Sequence, residues 1–262
     1  MRALDIAATG MQAQQLNVEV IANNIANVNT TGYKEQRAEF QDLLYQTVIR
    51  PGTQSSDSGT IVPSGIQLGA GVKAAAVYRI NEQGNINQTS NPLDVAVNGA
   101  GYFQVLLPDG ETAYTRDGSF QLNQNGQIVT ADGYPVQPGM TVPAATTNIT
   151  ISSAGQVYAT EQGKTNPTLV GQFQLANFAN PNGLSAQGSN LFLVTQASGS
   201  ATTGQALQNG FGSILQGDVE SSNVDIVSEM TNLITAQRAY EMNSKVVKTT
   251  DDMLSTLVQL KS

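Results

Sequence analysis

The two ends of this chain carry apolar residues at helical-heptad spacing, and the long stretch between them reads as β-structure and turns. Steps of three and four residues pick out Leu4, Ala7, Met11, Gln14, Val18, Ile21, Ile25 and Val28, with Gln14 alone polar. Toward the other end a step of seven gives Ile226, Leu233, Tyr240, Val247 and Leu254, flanked by Met230, Ala236 and Leu257. Such spacing lays a narrow apolar seam along one side of a helix. At ~1.5 Å rise per residue the C-terminal helix is expected to span roughly 50 Å, the N-terminal one somewhat less. A helix cannot bury its own stripe, so each seam needs a partner. The layout predicts an α+β fold class: N- and C-terminal helices paired as a coiled coil, a central all-β domain and an extended β-arm. The plainer alternative lays both helices on the side of an ordinary domain.

The rest of the helical surface favours the coiled coil. Where solvated helices usually carry many charges, these carry Gln, Asn, Ser and Thr, and only 12% of the chain is charged, about half the usual share. Amide-rich faces pair with copies of themselves at less desolvation cost than charged faces. A homo-oligomeric subunit packed among neighbours is the expectation.

Composition removes whole classes of function. A formal charge of −8 with no basic cluster argues against nucleic acid and anionic membranes, which need a basic surface. No apolar run approaches the ~20 residues of a membrane span, so membrane insertion is not expected. Ile6-Ala7-Ala8, beside Asp5, is too short for a signal-peptide core; the expectation is a cytosolic chain or one exported without a cleaved signal. There is no Cys and no His. Thiol nucleophiles, imidazole triads, imidazole metal sites and disulfides are excluded, leaving only carboxylate enzymes. Neither a catalytic residue, a metal nor a cofactor is expected.

Between the helices the punctuation is turn chemistry: Asp109-Gly110, Asp117-Gly118, Asn125-Gly126, Asp132-Gly133, Asn182-Gly183 and Asn209-Gly210 suit positive φ in tight hairpins. Around them lie short strand-like segments at 93–97, 102–107, 119–122, 127–130, 147–151, 156–159, 169–175 and 191–194. Short strands so spaced predict an antiparallel sandwich or irregular barrel over 86–221. Residues 1–35 and 222–262 then form the helical domain, with a start signal at Ser222-Asn223-Val224-Asp225 that fits a capping box. Residues 36–85 are an arm or linker, partly a β-hairpin. Pro51 to Gly71 is rich in Gly, Ser, Thr and Pro, and 72–80 reads as a strand. A free loop of that length is unusual in a compact domain, so the segment is either a disordered linker or an arm ordered by contacts.

Three apparent motifs fail on chemistry. Gly163-Lys164-Thr165 resembles the end of a phosphate-binding loop, but Tyr158 stands where its first Gly belongs. Gln121, Asn123, Asn125, Gly126 and Asp132 follow an EF-hand-like spacing with a single charged ligand, and a hairpin turn is the better reading. Asp94, Asp109, Glu111, Asp117 and Asp132 could furnish a glycosidase pair, yet most sit in turn dipeptides.

The run Ala22-Asn23-Asn24-Ile25-Ala26-Asn27-Val28-Asn29-Thr30-Thr31-Gly32-Tyr33-Lys34 resembles the N-terminal signature of the flagellar rod and hook family of axial proteins. Asn91 to Phe103, Tyr114 to Phe120, and 222–260 with Ala236-Gln237-Arg238-Ala239-Tyr240-Glu241 resemble its β-domain motifs and C-terminal helix. The chain is too short for the hook member. The stretch from Tyr45 to Gly71, with Gln54, Ser55, Ser56, Pro63 and Gly65, resembles the segment of the distal rod member, the proximal rod members being the alternative. What the resemblance implies is a helical tube in the periplasmic rod of the flagellar basal body. It would transmit torque from motor to hook and form part of the export channel. The implied partners are proximal rod proteins, the hook protein, the surrounding P- and L-ring bushing and the flagellar type III export apparatus. It also implies that the arm bridges neighbouring subunits. Two other classes explain part of the pattern: a β-rich carbohydrate-binding or hydrolytic protein accounts for the turns, and a non-flagellar adhesin or secretion needle for the seams.

Overall fold

The computed structural model describes residues 2–52, 64–164 and 166–261. The chain divides into two compact units: one comprises Met1–Ile25, Gln36–Tyr78 and Asp225–Ser262, the other Ala26–Glu35 and Arg79–Val224. Helices dominate the first and strands the second, so the fold is α+β.

The first unit holds α1, Arg2–Ala26, and α2, Ile226–Lys261. The apolar spacing was expected to carry α1 to Val28; it ends at Ala26 because Asn27 takes the chain into a turn, its carbonyl accepting from the Thr30 amide at 3.1 Å and its side chain from the Thr30 hydroxyl at 3.1 Å. Side-chain oxygens of Asn compete with helical backbone bonds in this way. At the other boundary α2 is capped by Asp225 rather than Ser222. Asp225 Oδ1 accepts from the Val227 amide at 3.0 Å and Oδ2 from the Ser228 hydroxyl at 2.9 Å, satisfying first-turn donors. Ser222 Oγ serves only the nearby Val224 amide, at 3.3 Å. Two ribbons complete this unit. Strand Gln36–Asp42 pairs with Val72–Arg79, and Tyr45–Ile49 pairs antiparallel with Ile66–Gly69.

The second unit is built on antiparallel sheets. Six strands lie in the order Ser185–Gly188, Leu191–Leu193, Thr112–Thr115, Tyr102–Leu106, Gln174–Asn177 and Thr202–Gln205; three more, Thr146–Ile151, Gln156–Glu161 and Thr168–Gln172, form a second sheet. Shorter pairs join Val95–Asn98 to Ser213–Gln216 and Ile86–Gln88 to Asp218–Glu220. Both larger sheets feed one core, where Phe103, Phe120 and Phe173 meet Val95, Val157, Leu175 and Ile214. Phe103 stands edge-on to Phe120 with centroids 5.1 Å apart, a favourable arrangement for aromatic quadrupoles. A second cluster gathers Tyr102, Tyr114, Phe178 and Leu184.

Turn chemistry worked as expected at Gly110, Gly126, Gly133 and Gly210, all at positive φ. Gly118 differs. It is needed because a Cβ there would run into the Val95 carbonyl, across which Val95 N–H bonds the Gly118 carbonyl at 3.0 Å.

Candidate assembly surface

Small and polar residues, more than the large apolar ones, set how α1 meets α2. Gly10 lies against Asn243, where an added Cβ would come within 2.8 Å of the side-chain nitrogen. Asn24 Nδ2 donates to Glu229 Oε2 at 2.9 Å. Stepping forward along α1 from Gly10 to Asn24 thus steps backward along α2 from Asn243 to Glu229, so the helices run antiparallel where they touch. The most enclosed positions of α2 are Glu229, Ala236 and Thr250, with Asn243 half-buried between them. These recur every seven residues, the step that keeps a seam facing its partner.

Asn24 is the polar centre of this contact. Its Nδ2 also reaches the Gln36 carbonyl at 2.8 Å, and its Oδ1 accepts from the Gln36 amide at 2.9 Å. One buried side chain therefore ties α1, α2 and the first strand together. Buried amides are tolerated when their donors and acceptors are satisfied in this way.

The expected seam residues fall into two groups. On α1, Ile21 is buried and Leu4, Met11, Val18 and Ile25 are half-buried; Val28 lies beyond the helix, in the other unit. On α2, Leu233, Val247 and Leu254 are half-buried, whereas Ile226, Met230 and Tyr240 are exposed; the side chain of Leu257 lies outside the described residues. Val227, Ile234, Met242, Val246, Met253 and Val258 are exposed as well. Among the described residues, the buried apolar side chains of this unit are Ala7, Ala13, Val20, Ile21 and Ala236. Large apolar patches left on a surface mark interaction sites.

The hairpin of Tyr45–Ile49 and Ile66–Gly69 repeats the theme. Leu44 is 89% exposed, and Tyr45, Val48, Ile49, Ile66 and Leu68 are exposed too. Gly65 is half-buried beside Ile49 and Pro51, while Gln54, Ser55, Ser56 and Pro63 lie outside the described residues. A two-stranded ribbon with apolar residues in solvent is marginal by itself.

The signature run splits in function. Asn23, Ala26 and Asn29 are exposed, Asn27, Thr31 and Tyr33 half-buried, and Asn24 and Gly32 buried. Gly32, in the β unit, has φ +69° and donates its N–H to the Glu220 carbonyl at 2.8 Å. A Cβ there would lie 2.9 Å from the Arg116 backbone, so position and conformation both demand glycine. Two residues on, Lys34 forms a buried ion pair with Glu220 Oε1 and donates to the Glu82 carbonyl at 2.7 Å. Arg116 Nε stands 3.6 Å from Glu220 Oε2, its guanidinium donating to the Gly99 carbonyl at 2.7 Å. Burial pushes the Lys34 ammonium below its ordinary range, Glu220 opposing that drift and Arg116 adding slightly to it. The triad joins the segment after α1 to the strand before α2 inside the β unit. Sequence reasoning placed Lys34 and Arg116 in motifs but gave no role to either, and it missed Glu220, Gly10, Glu229 and Asn243. The one available signal was scarcity: in so lightly charged a chain, an acid at the end of the short strand Asp218–Glu220 deserved weight.

The acidic loop residues have structural work. Asp94 accepts from the Thr89 hydroxyl at 2.7 Å and Asn91 Nδ2 at 2.8 Å, and Asp117 Oδ1 from the Ser119 amide and hydroxyl at 3.0 and 2.7 Å. The EF-hand-like stretch is a hairpin of Gln121–Leu122 and Ile128–Val129 whose turn Asn123 Oδ1 closes on the Asn125 and Gln127 amides.

A unit of two helices and ribbons with uncovered apolar side chains, and a β unit closed around its own core, define a structural subunit. Comparison with known proteins agrees. Residues 4–34 match the family described as flagella basal body rod protein, residues 96–159 the flagellar hook protein FlgE/F/G D1 domain, and residues 215–260 the flagellar basal body rod FlgEFG protein C-terminal. The chain is 62% identical to the flagellar basal-body rod protein FlgG of Caulobacter vibrioides across the whole of both chains. It is 51% identical to the FlgG of Buchnera aphidicola from Acyrthosiphon pisum, over 98% of this chain and 99% of the relative, and 49% identical to that of Borreliella burgdorferi, over 100% and 99%. This chain belongs to the flagellar basal-body rod protein family. It is a structural component of the basal body, not an enzyme. Among the described residues, no helix is long and apolar enough to cross a membrane.

Proposed function

We propose that this chain polymerises into the distal part of the flagellar rod, a helical tube in the periplasm that turns with the motor, carries torque to the hook and encloses part of the export channel. The observation that carries this reading is the 36-residue α2, whose apolar side chains Val227, Met230, Met242, Val246 and Met253 stay exposed while the β unit is closed around its own core. In the polymer α1 and α2 pair as a coiled coil and form the axial layer, residues 1–35 and 222–262. Their antiparallel contact and seven-residue step support this. Residues 86–221, with two sheets over a shared phenylalanine core, act as the antiparallel β-domain. Residues 36–85 are the arm that bridges neighbours, in keeping with the exposed apolar ribbon. Many weak lateral contacts repeated by helical symmetry give torsional stiffness without any single strong bond. Proximal rod proteins below, the hook protein above, the P- and L-ring bushing around and the type III apparatus that exports the chain are the partners of this arrangement.

Electron microscopy of basal bodies from a strain lacking the gene tests it. A rod cut short with no hook is expected. Absence of any rod would assign a proximal position, and an intact rod with hook would refute the structural role. Leu233→Asp, which places a charge at a half-buried seam position, is expected to abolish motility while the β unit stays folded; normal swimming would remove the seam from the mechanism.

A further inference from the structure

The chain has four Asn-Gly pairs, at 98–99, 125–126, 182–183 and 209–210. They differ in where the glycine amide goes. In the turns at 125–126 and 182–183 the glycine comes last, and its N–H closes the turn on the Asn123 carbonyl at 2.9 Å or the Asn180 carbonyl at 3.1 Å. The Gly99 N–H donates to Gln83 Oε1 at 2.9 Å. Asn209 and Gly210 instead occupy the central positions of a turn, with φ +50° and +83°, and the Phe211 N–H closes it on the Gln208 carbonyl at 2.9 Å. This is the φ pattern of a type I′ turn, whose closing bond leaves out the N–H of the third residue. Among the described residues the Gly210 N–H has no acceptor. Asn209 and Gly210 are both exposed, and a Cβ on Gly210 would meet nothing within 4 Å. On Gly99, Gly126 or Gly183 it would lie 2.9, 2.3 or 2.6 Å from neighbouring backbone.

We propose that Asn209 is a modification site, at which the folded chain deamidates itself. The Gly210 nitrogen loses its proton to solvent base and attacks Asn209 Cγ. A C–N bond forms and closes a succinimide ring, while the side-chain nitrogen takes up a proton and leaves as ammonia. Water, the only co-reactant, then opens the ring at either carbonyl to give aspartate or isoaspartate. A glycine nitrogen already held in a hydrogen bond must first break it, which slows the other three pairs by roughly fivefold, the weight of one ordinary hydrogen bond. Asp109-Gly110 and Asp132-Gly133 offer a poorer electrophile, and their glycine amides are held by the Leu107 and Thr130 carbonyls at 3.0 and 2.9 Å. Aspartate at 209 adds negative charge to a chain already at −8. Isoaspartate lengthens the backbone by one carbon between Ala206 and Phe211, both buried in the main core of the β unit. The reaction thus marks an aged chain where a surface turn is tied to that core. It needs neither a partner nor assembly, so it stands apart from the rod reading.

Peptide mapping by mass spectrometry tests this on the full chain, kept folded at mildly alkaline pH in heavy-oxygen water. Asn209 is expected to gain the mass of the acid and the heavy oxygen at least about fivefold faster than Asn98, Asn125 and Asn182. In denaturant the four rates are expected to converge, because the turns that distinguish them are gone. Asn209→Gly, which suits the positive φ, is expected to remove the fast reaction and keep the fold. Asn209 reacting no faster than the other three in the folded chain, or keeping its lead in denaturant, overturns the proposal. So does an equally fast reaction elsewhere in the Asn209→Gly chain.

Discussion

The two units handle their apolar residues in opposite ways. In the β unit Phe103, Phe173, Val157 and Leu175 are fully buried and the aromatic rings lock edge to face. In the helical unit, among the described residues, three of the five buried apolar side chains are alanines, and the large Met230, Met242, Val246 and Met253 stand in solvent. Burial of apolar area is the main favourable term in folding. One unit closes its core within the chain; the other leaves large apolar side chains uncovered. An isolated helix gains little from propensity alone and depends on packing an apolar face. On the proposed reading, a subunit that polymerises only at its turn can use this division, with one module complete in the monomer and the other completed by neighbours.

The sharpest way to break this comparison is amide hydrogen exchange on the monomer. Core amides of the β unit, such as those of 103–105 and 157–159, should open only with global unfolding, about 5–15 kcal/mol for a stable domain. Amides of residues 4–28 should exchange nearly as freely as an unfolded peptide and gain protection in the polymer. Strong protection of that segment in the monomer would mean that the helical unit is complete by itself.

Within the β unit, the largest single effect should come from Glu220→Ala. It leaves Lys34 and Arg116 buried without their carboxylate, and breaking a buried pair from one side costs about 3–5 kcal/mol. Met230→Ala, at an exposed α2 position, should change monomer stability by less than about 0.5 kcal/mol. Denaturant melts of both variants check the contrast; equal effects would dissolve it. Asn24→Ala comes next. It removes the Asn24 partner of buried Glu229 Oε2, at about 1–3 kcal/mol, and of the half-buried Gln36 backbone groups at less. The loss should appear in the helical circular dichroism of the assembled polymer, with the β unit's melting unmoved.

Much of this division was legible in the sequence, for physical reasons. Heptad spacing reports a one-dimensional period, so α1 and α2 were visible from Leu4 to Ile25 and from Ile226 onward. Asn-Gly and Asp-Gly pairs report local φ, so the hairpin at Asn125-Gly126 was visible too. Hidden were features that depend on two distant segments. The seven-residue line of Glu229, Ala236, Asn243 and Thr250 has only the small Ala236 as an apolar member, and it emerges as a line only once Gly10 and Asn24 stand opposite. Likewise the Lys34, Arg116 and Glu220 triad draws on three places in the chain. Gly118 looked like a turn glycine and proved to be a contact glycine, because a dipeptide says nothing about Val95 across the way.

The smallest predicted effect separates the units by titration. Burial pushes the hydroxyls of Tyr102 and Tyr114 above the ordinary value of 10.0; for Tyr102, Arg116 and Arg79 nearby restrain the rise and Glu220 adds to it. Between pH 10 and those raised values the unfolded chain has lost protons that the folded chain keeps, so stability should fall as pH rises through the window. Lys34 acts with the opposite sign: its lowered value makes stability rise with pH up to the unfolded 10.5, after which its contribution is constant. A decline above pH 10.5 therefore belongs to the tyrosines, and Tyr102→Phe with Tyr114→Phe should flatten it. Tyr45 on the exposed ribbon is also raised, first by its hydrogen bond to Asp42 and then by that carboxylate's charge. Solvent screens so exposed a pair, and Tyr45→Phe should leave the slope unchanged. A flattened slope in Tyr45→Phe would instead mean that the ribbon unfolds together with the β core, and the two units would have to be treated as one cooperative body.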